Sequence, residues 1–167
     1  MPTYDTIVIG AGVIGSAAAR TLAGAGSVLL LEQFPFLHER GSSHGGSRIF
    51  RHAYVDALHT RLAVRADALW QDLEVETGER LLHRTGGIDL FDAHDPQASA
   101  MLASLAAAGS PGERLSGAEL RERFPVFAVP DDKTVVYHPA SAVLPAPTRA
   151  AWCPSPRLSA AGWPRRG

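Results

Sequence analysis

Gly10, Gly12 and Gly15 of the hexapeptide GAGVIG, followed by the acid Glu32, are the first residues whose types and spacing could do chemistry. Gly10 permits a sharp turn from strand to helix. Gly12 has no Cβ, so a pyrophosphate can come close to the backbone, and Gly15 lets the helix pack tightly on the strand. The helix that starts in this turn would present N–H groups and a partial positive charge to phosphates. Glu32, about 20 residues on, can accept hydrogen bonds from ribose hydroxyls and would repel a 2′-phosphate. Together Gly10, Ala11, Gly12, Val13, Ile14, Gly15 and Glu32, with Gln33 just beyond, form a candidate dinucleotide site. A tight βαβ turn without ligand is the plainer alternative.

A second constellation is GSSHGGSRIFRHAY, Gly41 to Tyr54. Gly41, Ser42 and Ser43 offer backbone N–H and hydroxyl donors to phosphates. Arg48 and Arg51 are three apart, as are Arg51 and Tyr54, so in a helical turn they would share a face. Guanidinium groups hold carboxylates in a two-pronged geometry that Lys cannot match. Spacing alone equally permits a solvated basic loop paired with surface acids.

The elements that must position these residues follow from periodicity. Thr6-Ile7-Val8-Ile9 and Val28-Leu29-Leu30-Leu31 are apolar runs suited to buried parallel strands, with a small-residue helix (Ala17-Ala18-Ala19, Leu22, Ala23) between them. Phe34-Pro35-Phe36 stops the second strand and opens a loop. From about Ala57 to Glu76 the spacing predicts a helix with Leu58, Leu62, Ala66, Leu69, Trp70 and Leu73 facing the core, stopped at Gly78. Thr85 to Phe91 and Thr134 to Tyr137 read as strands. Asp95 to Ala108 reads as a helix with Met101, Leu102 and Leu105 inward and Gly109 as its stop. Ser116 to Glu119 has the form of a capping box. From about Pro145 onward there is no hydrophobic period and much proline, which predicts a segment without regular structure. Asp5 reads as a local hydrogen-bond acceptor.

Composition narrows the classes. The 167 residues suffice for a domain with a real core, and a net charge of −1 gives no case for nucleic acid or an anionic membrane. Cys153 is the only cysteine, so no internal disulfide framework exists. The early apolar run lacks a basic flank and is too short to span a bilayer, so a cytoplasmic protein is expected. The histidines show no metal-ligand spacing, and no metal is expected.

The words GAGVIG with Glu32, GSSHGGSRIFRHAY, a helix containing ALW, LLHRTGGIDLF and RERFPVF resemble the monomeric sarcosine oxidase and N-methyltryptophan oxidase family. These are flavoprotein amine oxidases of the D-amino-acid-oxidase type, and the likeness runs in register from about Thr3 to about Leu144. The resemblance implies FAD as cofactor. A secondary amine such as sarcosine would lose a hydride equivalent from its N-methyl group, O2 would become hydrogen peroxide, and the imine would hydrolyse to an amine and formaldehyde. By the family pattern His44 and Arg48 lie near the flavin ring, Arg51 binds the substrate carboxylate and Tyr54 shapes the pocket, with Gly41, Ser42, Ser43, Arg48 and Ile49 in the cofactor set. Ser43 stands where a second histidine is common.

The resemblance also implies an α/β architecture: a Rossmann-type FAD-binding βαβ unit with part of an interleaved α+β substrate domain, truncated. The expected division is 1–84 for the FAD-binding portion, with the loop 38–54, then 85–144 for the partial substrate domain and 145–167 for a disordered or non-native tail. Family members are much longer, and past Ala151-Trp152 the text resembles an out-of-frame reading of a GC-rich gene. Cys153 lies outside any matching context, so the family's covalent flavin link is not carried onto it. Two other readings stay open: an NAD-dependent dehydrogenase, and a nucleotide-binding fragment without turnover. An uncovered sheet edge would favour self-association.

Overall fold

The computed structural model describes residues 2–35, 38–43 and 45–145, and the backbone of 158–162. The chain divides into two compact units, residues 1–47 with 145–167, and residues 48–144.

The first unit is a parallel sheet with one helix. Strand β1 (Thr6–Ile9) leads through the glycine turn into α1 (Val13–Ala23), which returns to β2 (Val28–Glu32). The two strands pair in parallel, Thr6 with Val28 through Ile9 with Leu31. The small residues of α1 let it lie close on the sheet, where Ala19, Ala23, Val28 and Leu30 form a buried cluster with Val8 and Ala11 against it. Asp5 holds the base of this βαβ unit, its Oδ2 accepting the N–H and hydroxyl of Ser27 at 2.8 and 2.7 Å. It is the local acceptor expected.

On the far side of β2 the sheet gains another parallel strand at Leu158–Gly162, the ninth of the chain, paired from Val28↔Leu158 to Glu32↔Gly162. Regular structure was not expected anywhere beyond Pro145. Parallel pairing uses backbone donors and acceptors, so a segment without a hydrophobic period can still form a ladder. The order β1-β2-β9 is that of one half of a doubly wound nucleotide-binding sheet.

The second unit is α+β. Strands β3 (Ser47–Phe50), β4 (His83–Arg84) and β8 (Ala142–Pro145) form one sheet in the order β3-β8-β4. Strands β5 (Gly87–Asp92), β6 (Glu113–Ser116) and β7 (Lys133–His138) form an antiparallel sheet with β7 central. Alternation along β7 sends Val136 to a cluster with Ala53, Ala98, Met101 and Leu105, and Val135 to another with Leu115, Leu120 and Val129. Helix α3 (Pro96–Ala107) covers the first face and α4 (Gly117–Arg123) the second. The capping box forms as read, Ser116 Oγ accepting from Glu119 N–H and the Glu119 carboxylate from Ser116 N–H.

Helix α2 (Ala57–Thr77) begins at Asp56, which caps His59 N–H, and ends at Gly78 in the left-handed region. Its facing corrects the sequence reading. Leu58, Leu62 and Leu69 are more than half exposed, and the buried side chains are Thr60 and Asp67. The leucine spacing identifies a stripe, but polar pairing of Asp67 inside the unit decides which side turns inward. Helix α2 packs on α3, and Asp67 binds Arg84 of β4. Both contacts lie inside the compact unit of residues 48–144.

Candidate functional site

The site in the first unit is built on the turn between β1 and α1. Gly10 sits at φ +98°, a conformation L side chains rarely adopt, and its N–H donates to Leu31 O at 2.7 Å. A Cβ on Gly15 would lie 1.8 Å from Gly10 O, so only glycine allows the helix this close to the turn. Gly12 is the N-cap and provides no side-chain cap, and the first turn of α1 contains no acid. The positive end of the helix is therefore not neutralised by its own side chains. Val13 N–H donates to Ser43 Oγ at 3.1 Å, and a Cβ on Gly12 would come within 3.2 Å of that same oxygen. An oxygen acceptor thus already lies where the backbone approach is closest. Val13 and Ile14 themselves are exposed.

Glu32 closes the other side. Its Oε2 accepts Ala11 N–H at 2.8 Å and its Oε1 accepts Phe34 N–H at 3.0 Å, with His38 Nε2 3.5 Å away. Burial pushes the Glu32 carboxyl up, but the N–H donors of Ala11 and Phe34 and the charge of His38 outweigh it and hold the group below the usual carboxylate range. Each carboxylate oxygen retains acceptor capacity for a hydroxyl. Next to it a cavity of ≈ 360 Å³ is lined by Gln33, Phe34, Pro35, His38 and Arg40. The Arg40 guanidinium lies over the Phe34 ring at 4.9 Å and the His38 ring meets its edge at 4.8 Å. Gly41 and Ser42 form the turn that delivers Ser43. His44 lies outside the described residues. A glycine turn at the start of α1, a helix end without its own acid and a buried carboxylate at the strand end fit the adenosine diphosphate half of FAD.

In the second unit, Arg48 and Ile49 lie on β3 and Arg51 follows it, so the helical face expected for Arg48, Arg51 and Tyr54 is not formed. Alternation on a strand replaces the spacing of three. Arg51 and Tyr54 nevertheless meet, the guanidinium 5.1 Å from the ring centroid. Arg51 Nη1 also donates to Asp89 Oδ1 at 3.3 Å, and Asp89 Oδ2 lies 2.8 Å from His138 Nε2. A second buried array holds His52, whose Nδ1 is 2.8 Å from Ser110 Oγ and whose Nε2 is 2.8 Å from Asp67 Oδ2 without the alignment of a hydrogen bond. Arg84 grips both oxygens of Asp67, and Gln71 donates to it at 3.0 Å. Burial lowers the His52 pKa against the opposing pull of Asp67. The sequence reading assigned roles to none of Asp89, His138, Ser141 or Asp67. Asp89 lies 49 residues from His138 and 38 from Arg51, and Asp67 lies 17 from Arg84, separations that no local pattern links. Among the described residues no cluster of His, Cys, Asp or Glu could hold a metal ion, and no helix is long and apolar enough to cross a membrane.

Fold and turn together define a nucleotide-binding βαβ protein with an appended α+β unit. Residues 5–155 match the family described as DAO, FAD dependent oxidoreductase. The chain belongs to that family, whose cofactor is FAD, and the NAD-dependent alternative falls with this match. It is 40% identical over 143 residues to the N-methyl-L-tryptophan oxidases of Yersinia pestis and Yersinia pseudotuberculosis, covering 84% of this chain and 38% of each of those proteins. The chain therefore spans well under half the length of the curated relatives it matches. Among solved structures, NikD, an unusual amino acid oxidase essential for nikkomycin biosynthesis, superposes with a TM-score of 0.73 at 24% identity, over 97% of this chain and 44% of that one. Glycine oxidase from Geobacillus kaustophilus does so with a TM-score of 0.69 at 22% identity, over 95% of this chain and 46% of that one. Both show the fold.

Proposed function

We propose that this chain carries the FAD grip and the substrate-carboxylate anchor of an oxidase acting on N-methyl amino acids. A secondary amine such as sarcosine or N-methyl-L-tryptophan and O2 are the substrates; hydrogen peroxide, the demethylated amine and formaldehyde are the products. The observation that carries the reading is the Glu32 carboxylate locked by Ala11 and Phe34 N–H beside the acid-free start of α1.

When bound, FAD supplies the two-electron acceptor for the amine and the route to O2. The protein's own part is binding and orientation. The amino end of α1, opened by Gly12, takes the pyrophosphate, and the Ser43 hydroxyl joins it. Glu32 accepts the ribose hydroxyls, and the Gln33–Arg40 cavity receives the adenine. Arg48, Ile49, Gly41 and Ser42 complete the cofactor contacts, and His44 and Arg48 supply positive charge toward the ring. Arg51 holds the substrate carboxylate and Tyr54, stacked against it, shapes the pocket.

A second reading is a nucleotide-binding unit that does not itself turn over a substrate. Purified chain should quench flavin fluorescence on titration with FAD, and ADP should compete. Peroxide release with N-methyl-L-tryptophan or sarcosine then separates the readings: turnover removes the second, and failure to bind either nucleotide removes both. The exposed Ile7 and Ile9 of β1 favour self-association, which sedimentation would report as a mass above that of one chain.

A further inference from the structure

The structure assigns to Asp89, anchored by His138, the task of positioning the Arg51 guanidinium, so that the carboxylate-binding group is set by a buried array and not left to wander. This rests on the reading of Arg51 as the carboxylate anchor, and it names residues that the motif itself does not contain.

The array starts from a glycine. Strands β5 and β7 pair with Gly87 opposite His138 and Asp89 opposite Val136. His138 and Asp89 are therefore diagonal neighbours on one face, within reach of a long side chain. A Cβ on Gly87 would lie 2.4 Å from His138 Cε1 and 3.0 Å from Ser141 Cβ. Only a glycine there lets the imidazole lie across β5. The ring then places Nε2 2.8 Å from Asp89 Oδ2 and Nδ1 2.5 Å from Ser141 Oγ. A carboxylate only accepts, so Nε2 carries the hydrogen, and in the neutral ring Nδ1 accepts from the Ser141 hydroxyl. That fixes one tautomer and one ring orientation.

Asp89 is thereby divided between two tasks. Its Oδ2 is held by the His138 ring, which the Ser141 hydroxyl holds in turn, and both of these residues are 3% exposed. Its Oδ1 faces Arg51 Nη1 at 3.3 Å, and the arginine is the more exposed partner, at 43% against 23%. The hydrogen bond from His138 and the charge of Arg51 outweigh burial and hold the Asp89 carboxyl below its usual range. Asp89 engages only Nη1, and the Tyr54 ring backs the guanidinium from its face. The fork on the other edge stays available for a second, incoming carboxylate. An exposed ion pair by itself is worth little. What makes this one a positioning device is that its acidic half cannot move.

The test uses ¹⁵N relaxation of the Arg51 Nε–H signal in the full chain, assigned by its loss in Arg51→Lys. In the parent it should behave as an ordered group. Asp89→Asn, which keeps shape and loses charge, should drop its order parameter below about 0.6, the range of flexible groups. Gly87→Ala should do the same although it touches neither Arg51 nor Asp89, and His138→Gln is the substitute if that variant does not fold. An unchanged Arg51 signal in Asp89→Asn, with the backbone spectrum otherwise intact, would overturn the assignment. Titration with N-methylglycine keeps the two readings apart. If the parent's Arg51 signal ignores the amino acid while Asp89→Asn still loosens it, the carboxylate role fails and the positioning stands.

Discussion

Replacing Glu32 by Gln should weaken both the first unit and its grip on a nucleotide, by amounts the geometry allows one to work out. The carboxylate is 7% exposed and accepts two backbone N–H groups, from Ala11 at 2.8 Å and Phe34 at 3.0 Å. Hydrogen bonds to a charged acceptor contribute about 1.5–3 kcal/mol each, against about 1 for a neutral one. Glutamine keeps one acceptor oxygen and turns an NH₂ toward the other N–H. One bond is then lost, with a buried donor facing a donor, and the remaining bond weakens, for a total of about 2–4 kcal/mol. A ribose hydroxyl loses its charged acceptor at the same time, so the Kd for ADP should rise about tenfold to a hundredfold. Urea unfolding with and without ADP measures both effects. A Glu32→Gln chain within about 0.5 kcal/mol of the parent, with unchanged ADP affinity, would refute the placement of this carboxylate at the centre of the site.

Three further outcomes follow from the same geometry. Gly15→Ala puts a methyl 1.8 Å from Gly10 O, so α1 must move away from the turn; a loss of about 1–3 kcal/mol and weaker ADP binding should appear in denaturant titration, whereas Ala17→Gly would cost only about 1 kcal/mol of helix propensity. Asp67→Asn removes the charge that pairs with Arg84. Breaking a buried pair costs about 3–5 kcal/mol, and because Arg84 is 32% exposed the lower end is expected in thermal unfolding. Stability should also fall with acid. His52 has a folded pKa below its ordinary 6.5 and Asp67 and Asp89 below their ordinary 3.8, so the unfolded chain binds more protons. The His52 contribution is present above 6.5 and is lost as pH drops below it; the aspartate contributions follow as pH falls from 3.8 through the folded values. Unfolding free energies measured from about pH 7.5 downward check this, and a flat profile would refute it.

What could be read from the chain alone was what is encoded locally. The glycine turn, Glu32 after β2, the capping box of α4 and the inward face of α3 each depend on residues close in sequence or on one repeating period. Motif words that keep their spacing carried the family as well. The tertiary structure decided the rest. The Ser43 hydroxyl meets Val13 N–H across 30 residues, and nothing local marks it as the oxygen at the helix end. Helix α2 shows Leu58, Leu62 and Leu69 to solvent and buries Asp67, because burying one side of a helix depends on what lies across from it and not on its own period. A proline-rich text without periodicity still pairs Leu158–Gly162 with β2, since a ladder needs only backbone. Asp89 and His138 are 49 residues apart and become neighbours through strand register, with Gly87 leaving the space between them. Sequence sets which groups a segment offers; register and packing across long loops set which groups meet, and the anchoring of Arg51 belongs to the second kind.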